Sequence, residues 1–222
     1  MTSSLLTVHC VSHGVNFSGT VHDMATYRAA VRQTRQQSRE RIVAAATELI
    51  RQTPYGALTV DDVMREAGAG RTIFYRHFDD LADLLMRAGR EAFEGLYQAE
   101  QAFRSAHVDG RPNVRSAIEA AVDVYRRHGP LLRAIAEAAA AGDEQIAAGQ
   151  RAMLERFDAL VEDVLRASPR MAERPAEDIA ETARALNVMN VNYLLDAFGR
   201  EPRVSTETAV RTLAGIWGAL ID

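Results

Sequence analysis

Between Ile42 and Ile50 the apolar positions Ile42, Ala45, Ala46, Leu49 and Ile50 return at three- and four-residue intervals, the spacing of one helical face. The turn Pro54-Tyr55-Gly56 stops that helix. A second, shorter stripe follows in Val60, Val63, Met64 and Ala67, and Thr59 with Asp62 three residues on makes a capping-box-like start. Gly68 can take the positive φ that ends a helix and turns the chain. A third short helix is predicted from about Arg71, with Ile73 and Phe74 facing in and Arg71, Thr72, Tyr75 and Arg76 left for a partner. Phe74 and Phe78, four apart, are expected in the core.

Downstream the pattern stays helical. Leu81, Leu84, Leu85, Ala88, Ala92, Phe93 and Leu96 predict one long helix from Leu81 to about Arg104, ended by the His107–Pro112 stretch. Pro112 opens a helix to about His128, Gly129-Pro130 is expected to break it, and a further helix covers Leu131–Ala140 before a turn at Gly142-Asp143. Three more apolar-striped helices are predicted from Glu144 to about Arg166, Ala176 to Phe198 and Ser205 to Ile221. The expected fold is all-α: an N-terminal three-helix helix-turn-helix domain plus a larger helical domain, about nine helices. The expected division is 1–33 as a tail and basic arm, 34–80 as the helix-turn-helix domain, and 81–222 as the larger domain.

Residues 1–27 show no sustained period and read as a loose tail, or as sequence ahead of a start at Met24. His9, His13 and His22 lack partners at metal-ligand spacing and read as exposed side chains, not as a zinc site. The N-terminus lacks a basic region followed by an apolar core, so no signal peptide is expected, and no run of 18 apolar residues predicts a membrane span. One cysteine, Cys10, excludes an intramolecular disulfide framework and fits a reducing cytoplasm.

Charge sharpens the picture once the chain is divided. The net charge of −4 argues against a globally basic nucleic-acid binder. Yet residues 28–90 hold 11 Arg against 8 acids, whereas residues 91–222 hold 15 Arg against 21 acids. A mildly basic head on an acidic body suits a DNA reader with a separate partner or ligand domain. Every basic residue is Arg, which genomic base composition explains without function.

Helix, tight Gly-containing turn, helix is the unit that delivers a second helix into a DNA major groove. Within it Arg71 suits guanine or phosphate, and Thr72 a thymine methyl or base edge. Tyr75 and His77 suit phosphate oxygens, and Thr59 adds a hydroxyl beside a helix N-terminus. Arg28, Arg32, Arg35, Arg39 and Arg41 face only one acid, Glu40, in the stretch before the unit. They read either as a solvated helix face or as a basic arm along phosphates or in the minor groove, and their position favours the arm.

The span from about Ser38 to Leu85 resembles the DNA-binding domain of tetracycline-repressor-type (TetR) regulators. The resemblance rests on IVAAATELI, LTVDDVMREAGAGRTIFYRHF and LADLL, and most of all on Phe74-Tyr75-x-His77-Phe78 directly after A-G-x-x-R. It implies a double-stranded DNA operator as partner. Two positions depart from the family's pattern. Gly70 stands where a capping Ser is usual, at a cost of about a few tenths of a kcal/mol. Leu81 stands where a phosphate-contacting Lys is common, so one backbone anchor is expected to be missing.

ARALNVMNVNYLL and the later AGIWGAL look like the C-terminal helices of the ethionamide-activation branch of the same family. That resemblance implies a small hydrophobic effector in an apolar tunnel lined by Asn187, Asn190 and Trp217, and a homodimer built on the last two helices. From spacing alone, Asn187 and Asn190 share one helical face among apolar residues, where amides need partners. A ligand carbonyl, a partner subunit or a backbone carbonyl would each serve. Tyr125 and Met153 are further pocket candidates, although apolar residues at helical spacing are usually core.

No G-x-x-x-x-G-K-[ST], no H-E-x-x-H and no paired Cys occurs, and His107 and His128 lack obvious partners, so neither an enzyme nor a cofactor is expected. The expected function is a ligand-responsive repressor that binds a pseudo-palindromic operator as a homodimer and is released by an apolar effector. The alternative is a DNA-binding or protein-interaction module of the same fold with a vestigial pocket.

Overall fold

The computed structural model describes residues 8–12, 15–19, 21–105, 107–108, 111–171 and 173–221. Among these, nine α-helices dominate: α1 Val21–Ile50, α2 Val60–Glu66, α3 Arg71–Phe74, α4 Leu81–Ala88, α5 Arg90–Ser105, α6 Val114–Ala140, α7 Glu144–Arg166, α8 Ala176–Gly199 and α9 Thr206–Ile221. The all-α expectation holds, with two small additions. β1 Val8–Ser12 pairs with β2 Val15–Gly19, and β3 His107–Val108 pairs with β4 Arg111–Pro112, both antiparallel.

Three boundaries differ from expectation. First, the tail expected over residues 1–27 is not wholly unstructured: it holds the β1–β2 hairpin, and α1 already runs from Val21. Residues 21–50 contain no Gly or Pro, and Ala, Arg, Gln and Glu are good helix formers. Gln36 adds an i,i+4 bond to Glu40 at 2.6 Å. Propensity therefore extends the helix beyond its apolar stripe, leaving residues 26–37 exposed.

Second, the long helix expected from Leu81 to Arg104 is divided at Gly89 into α4 and α5. A Cβ there would lie 2.8 Å from Ile135 Cδ1, so this glycine lets α6 press into the junction. Third, Gly129-Pro130 does not break α6. Pro130 cannot donate to the Arg126 carbonyl one turn back. The Arg203 guanidinium, from the connection between α8 and α9, donates to that carbonyl at 3.0 Å.

Two cores result. The head core packs Ile42, Ala46 and Ile50 of α1 with Val63, Phe74, Phe78, Leu84 and Leu85, against Leu131, Ala134, Ile135 and Ala138 from the second half of α6. Phe74 and Phe78 are fully buried with ring centroids 5.4 Å apart, as their spacing predicted. The body core gathers α5 to α9 around Val122, Leu165, Phe198 and Leu213. Helix α6 serves both cores.

Candidate nucleic-acid interface and ligand cavity

The head presents its polar residues as the sequence arranges them. Thr59 N-caps α2 in a full capping box: its hydroxyl accepts from the Asp62 N–H at 3.1 Å, and the Asp62 carboxylate accepts from the Thr59 N–H at 3.2 Å. The bonds from Thr59 and the Arg65 guanidinium hold the Asp62 carboxyl below its usual range. Gly68 turns the chain with φ +62°, a conformation costly for any residue with a Cβ. Gly70 then N-caps α3 with extended backbone and no side-chain bond.

Arg71 and Thr72 are exposed at the start of α3, and Tyr75 stands 52% exposed one turn on. Arg71 donates to the Tyr75 hydroxyl at 3.2 Å and lies 3.3 Å from the Asp61 carboxylate. Both ion-pair partners are well exposed, so the pair is weak and a phosphate or base edge can replace it.

His77 sits where α1 meets the end of the reading unit. Burial, then the charges of Arg35, Arg39 and Arg76, lower its pKa below the usual histidine value. Arg35 also donates to the Arg76 carbonyl at 3.3 Å, tying α1 to this corner. Arg39 is thus gathered with Arg35, Arg76 and His77 into one positive patch. Among the described residues no carboxylate pairs with any of these three arginines. Leu81 is half-buried against the head core.

The body encloses a cavity of about 400 Å³ among α4 to α9, within the roughly 300–1,000 Å³ of small-molecule sites. All five residues singled out for ligand contact line it: Tyr125, Met153, Asn187, Asn190 and Trp217. Their hydrogen bonding separates them. Asn187 is satisfied within the protein, donating to the Leu154 carbonyl at 3.1 Å and to Asp158 at 2.7 Å. Asn190 Oδ1 and Trp217 Nε1 are buried without a hydrogen-bond partner among the described residues. Tyr125 is buried in apolar surroundings that push its phenol pKa up.

The sequence reading missed a polar group in the same wall. Glu100 of α5 is 3% exposed and lines the cavity together with Tyr97 and Arg156. Its carboxylate accepts from Arg104 at 3.1 Å and from Arg156 of α7 at 2.5 Å. The Glu100–Arg104 pair, four apart, is legible in the chain, but the 56-residue reach to Arg156 is not.

Two known families account for most of the chain. Residues 42–88 match the bacterial regulatory proteins of the tetR family, and residues 114–221 match the C-terminal domain of the transcriptional regulator EthR. The chain belongs to the TetR family. It is a transcription regulator with a DNA-binding helix-turn-helix head and a ligand-binding C-terminal domain. Among curated relatives, the HTH-type transcriptional activator FasR of Mycolicibacterium smegmatis is 25% identical over 195 residues, covering 87% of each chain. The HTH-type transcriptional regulator EthR of Mycobacterium tuberculosis is 29% identical over 182 residues, 79% of this chain and 83% of the relative.

Solved TetR-type structures share the fold. The TetR family transcriptional regulator PfmR from Thermus thermophilus superposes with a TM-score of 0.63 at 19% identity, covering 79% of this chain and 96% of its own. NalD, the secondary repressor of the MexAB-OprM multidrug efflux pump in Pseudomonas aeruginosa, gives 0.58 at 18% identity over 85% and 98%. The family and these relatives are regulators, not enzymes. No helix among the described residues is long and apolar enough to cross a membrane.

Proposed function

We propose that this TetR-family protein is a ligand-responsive repressor. It binds a pseudo-palindromic operator as a homodimer and leaves it when a small apolar effector fills the body cavity. The observation that carries the reading is the sharing of helices between cavity and head. Met86 of α4 and Ile135 of α6 line the cavity, while Leu84, Leu85 and Ala134, their neighbours on the same helices, belong to the head core. Ile135 belongs to both. A ligand that pushes this wall outward displaces α4, and with it the orientation of α3.

Arg71 and Thr72 are assigned to base edges, and Thr59, Tyr75, His77 and Arg39 to phosphates. The arginines beside His77, without carboxylate partners among the described residues, support that division, because a phosphate would supply the missing counter-charge. The homodimer rests on α8 and α9, which leave Val188 and Ile216 exposed. A two-fold dimer sets its reading helices ~34–36 Å apart, one DNA turn. A ligand favouring another spacing weakens DNA by the factor by which DNA weakens the ligand. The cavity volume and the Asn190 and Trp217 atoms that lack a partner among the described residues favour a working cavity over a vestigial one.

A salt-series titration on DNA from the protein's own upstream region, with wild type beside Tyr75→Ala, tests the head. Binding that falls steeply with salt and collapses in the variant supports it. Equal binding by both proteins, indifferent to DNA sequence, would sink the assignment.

A further inference from the structure

A charge cluster around the buried Glu100 carboxylate, at the cavity wall, says what kind of molecule the cavity takes, provided that it is an effector site as proposed above. Glu100 lies at 3% exposure and accepts from two guanidiniums, Arg104 through Oε1 and Arg156 through Oε2. One carboxylate against two arginines leaves a local excess of one positive charge. Arg104 and Arg156 keep 45% and 52% of their side chains exposed, so the cluster sits where the cavity wall meets solvent. Arg156 lies over the Tyr97 ring, 5.4 Å from its centroid, a cation–π contact that helps to hold the guanidinium at this corner. Away from this corner the wall is mainly apolar, including Phe93, Leu96, Ile118 and Met153, with Gln150, Asn187 and Asn190 among its polar members.

We propose that the effector is an amphiphile: an apolar chain that fills the cavity and ends in a carboxylate held by Arg156. Glu100 is the positioning residue. It holds the guanidinium at the wall in the absence of ligand and occupies only part of its five-donor fork. A carboxylate head therefore gains charge-assisted hydrogen bonds without stripping any buried group of its partner. An ammonium head would have to take Glu100 from its arginines, and a neutral hydroxyl gains no ion pair. The cluster thus discriminates by head group, while the apolar wall supplies chain affinity.

Trp217 is the protein's only tryptophan and lines the cavity, so its fluorescence reports occupancy without DNA. The full-length protein is titrated with decanoate, decanol and decylammonium, three heads on one chain. Decanoate is expected to bind at least about tenfold more tightly than decanol, the scale of one charge-assisted bond. Arg156→Gln should erase that preference and Arg156→Lys restore part of it, with the decanol titration and the thermal melt verifying that each variant is folded. Equal binding of all three ligands overturns the head-group assignment and leaves the effector site standing. Tighter binding of decylammonium overturns it in favour of Glu100 as the recognition group. Binding of none removes the effector site itself, and the assignment with it.

Discussion

Glu137 of α6 accepts a hydrogen bond from the backbone N–H of Tyr55 at 2.9 Å, across 82 residues of chain. Its other carboxylate oxygen accepts from Arg133 at 2.6 Å, and Arg133 Nε in turn donates to the Gly199 carbonyl at the end of α8 at 2.9 Å. One turn of α6 thereby links the turn after α1, in the head, to the last residue of a body helix. The arrangement exists because Tyr55 follows a proline-bent turn whose N–H has no helical partner, and a half-buried carboxylate meets it.

Replacing Glu137 by Ala leaves the Tyr55 N–H without its acceptor and frees Arg133. Stability is expected to fall by about 1–3 kcal/mol, the range for leaving a buried donor unsatisfied, with the lower end favoured because Glu137 is partly exposed. Urea denaturation gives the difference as a shifted midpoint at constant slope. An unchanged midpoint would mean that water replaces the carboxylate at no cost.

At Gly129 α6 packs directly against the backbone of α8. A Cβ built there would stand 2.2 Å from the Phe198 carbonyl oxygen, whereas an ordinary C···O contact is about 3.3 Å or more. Neither backbone can rotate away, so the helices must separate and the packing around Phe198 must open. Gly129→Ala is therefore expected to destabilise by about 3 kcal/mol or more, despite alanine's better helix propensity. Thermal unfolding checks it, and a rise in Tm would show that the close approach is absent in solution.

The same glycine marks the limit of what the chain reveals about its fold. Period and caps made the helix stripes, the Thr59 capping box and the buried Phe74–Phe78 pair legible, because each depends on residues within one turn. Gly129-Pro130 reads as a break by local rules, whereas α6 continues through it and the carbonyl that Pro130 leaves free is met by Arg203, 77 positions away. At Gly89, likewise, the space that a Cβ would need is taken by Ile135 of another helix. In the cavity, Asn187 and Asn190 looked equivalent by spacing, yet only tertiary contact tells the satisfied amide from the one with an unpartnered oxygen. Glu100 and Arg156 were out of reach for the same reason.

If His77 meets a phosphate as proposed, it gives the DNA interaction a pH dependence with a defined sign. In the free protein, burial and then Arg35, Arg39 and Arg76 lower its pKa, so it is neutral at pH 7. The unfolded chain binds the proton more readily, so His77's contribution to stability is present above about pH 6.5 and is lost as pH falls through the lower folded value. A phosphate beside the ring acts in the opposite direction by favouring the imidazolium. DNA affinity is therefore expected to rise as pH falls from about 7.5 to about 5.5, the range in which a histidine titrates, more steeply in wild type than in His77→Gln. Parallel profiles for the two proteins would remove His77 from the phosphate contacts.

Asn190 separates stability from response. Its Oδ1 is buried in the cavity wall without a hydrogen-bond partner among the described residues, and Trp217 Nε1 is in the same position. An unsatisfied buried amide costs roughly 1–3 kcal/mol, so Asn190→Leu, which has the same branching and whose added bulk faces the cavity, is expected to leave stability unchanged or raise it by up to about that amount. If Asn190 is retained to meet a polar atom of the effector, the same substitution must weaken effector binding. DNA affinity without effector should remain as in wild type, because Asn190 lies outside the head. Chemical denaturation and effector-dependent release from DNA, measured on one preparation, give both quantities. A variant that loses stability would show that the amide is satisfied in solution, and an undiminished response would remove Asn190 from the effector's contacts.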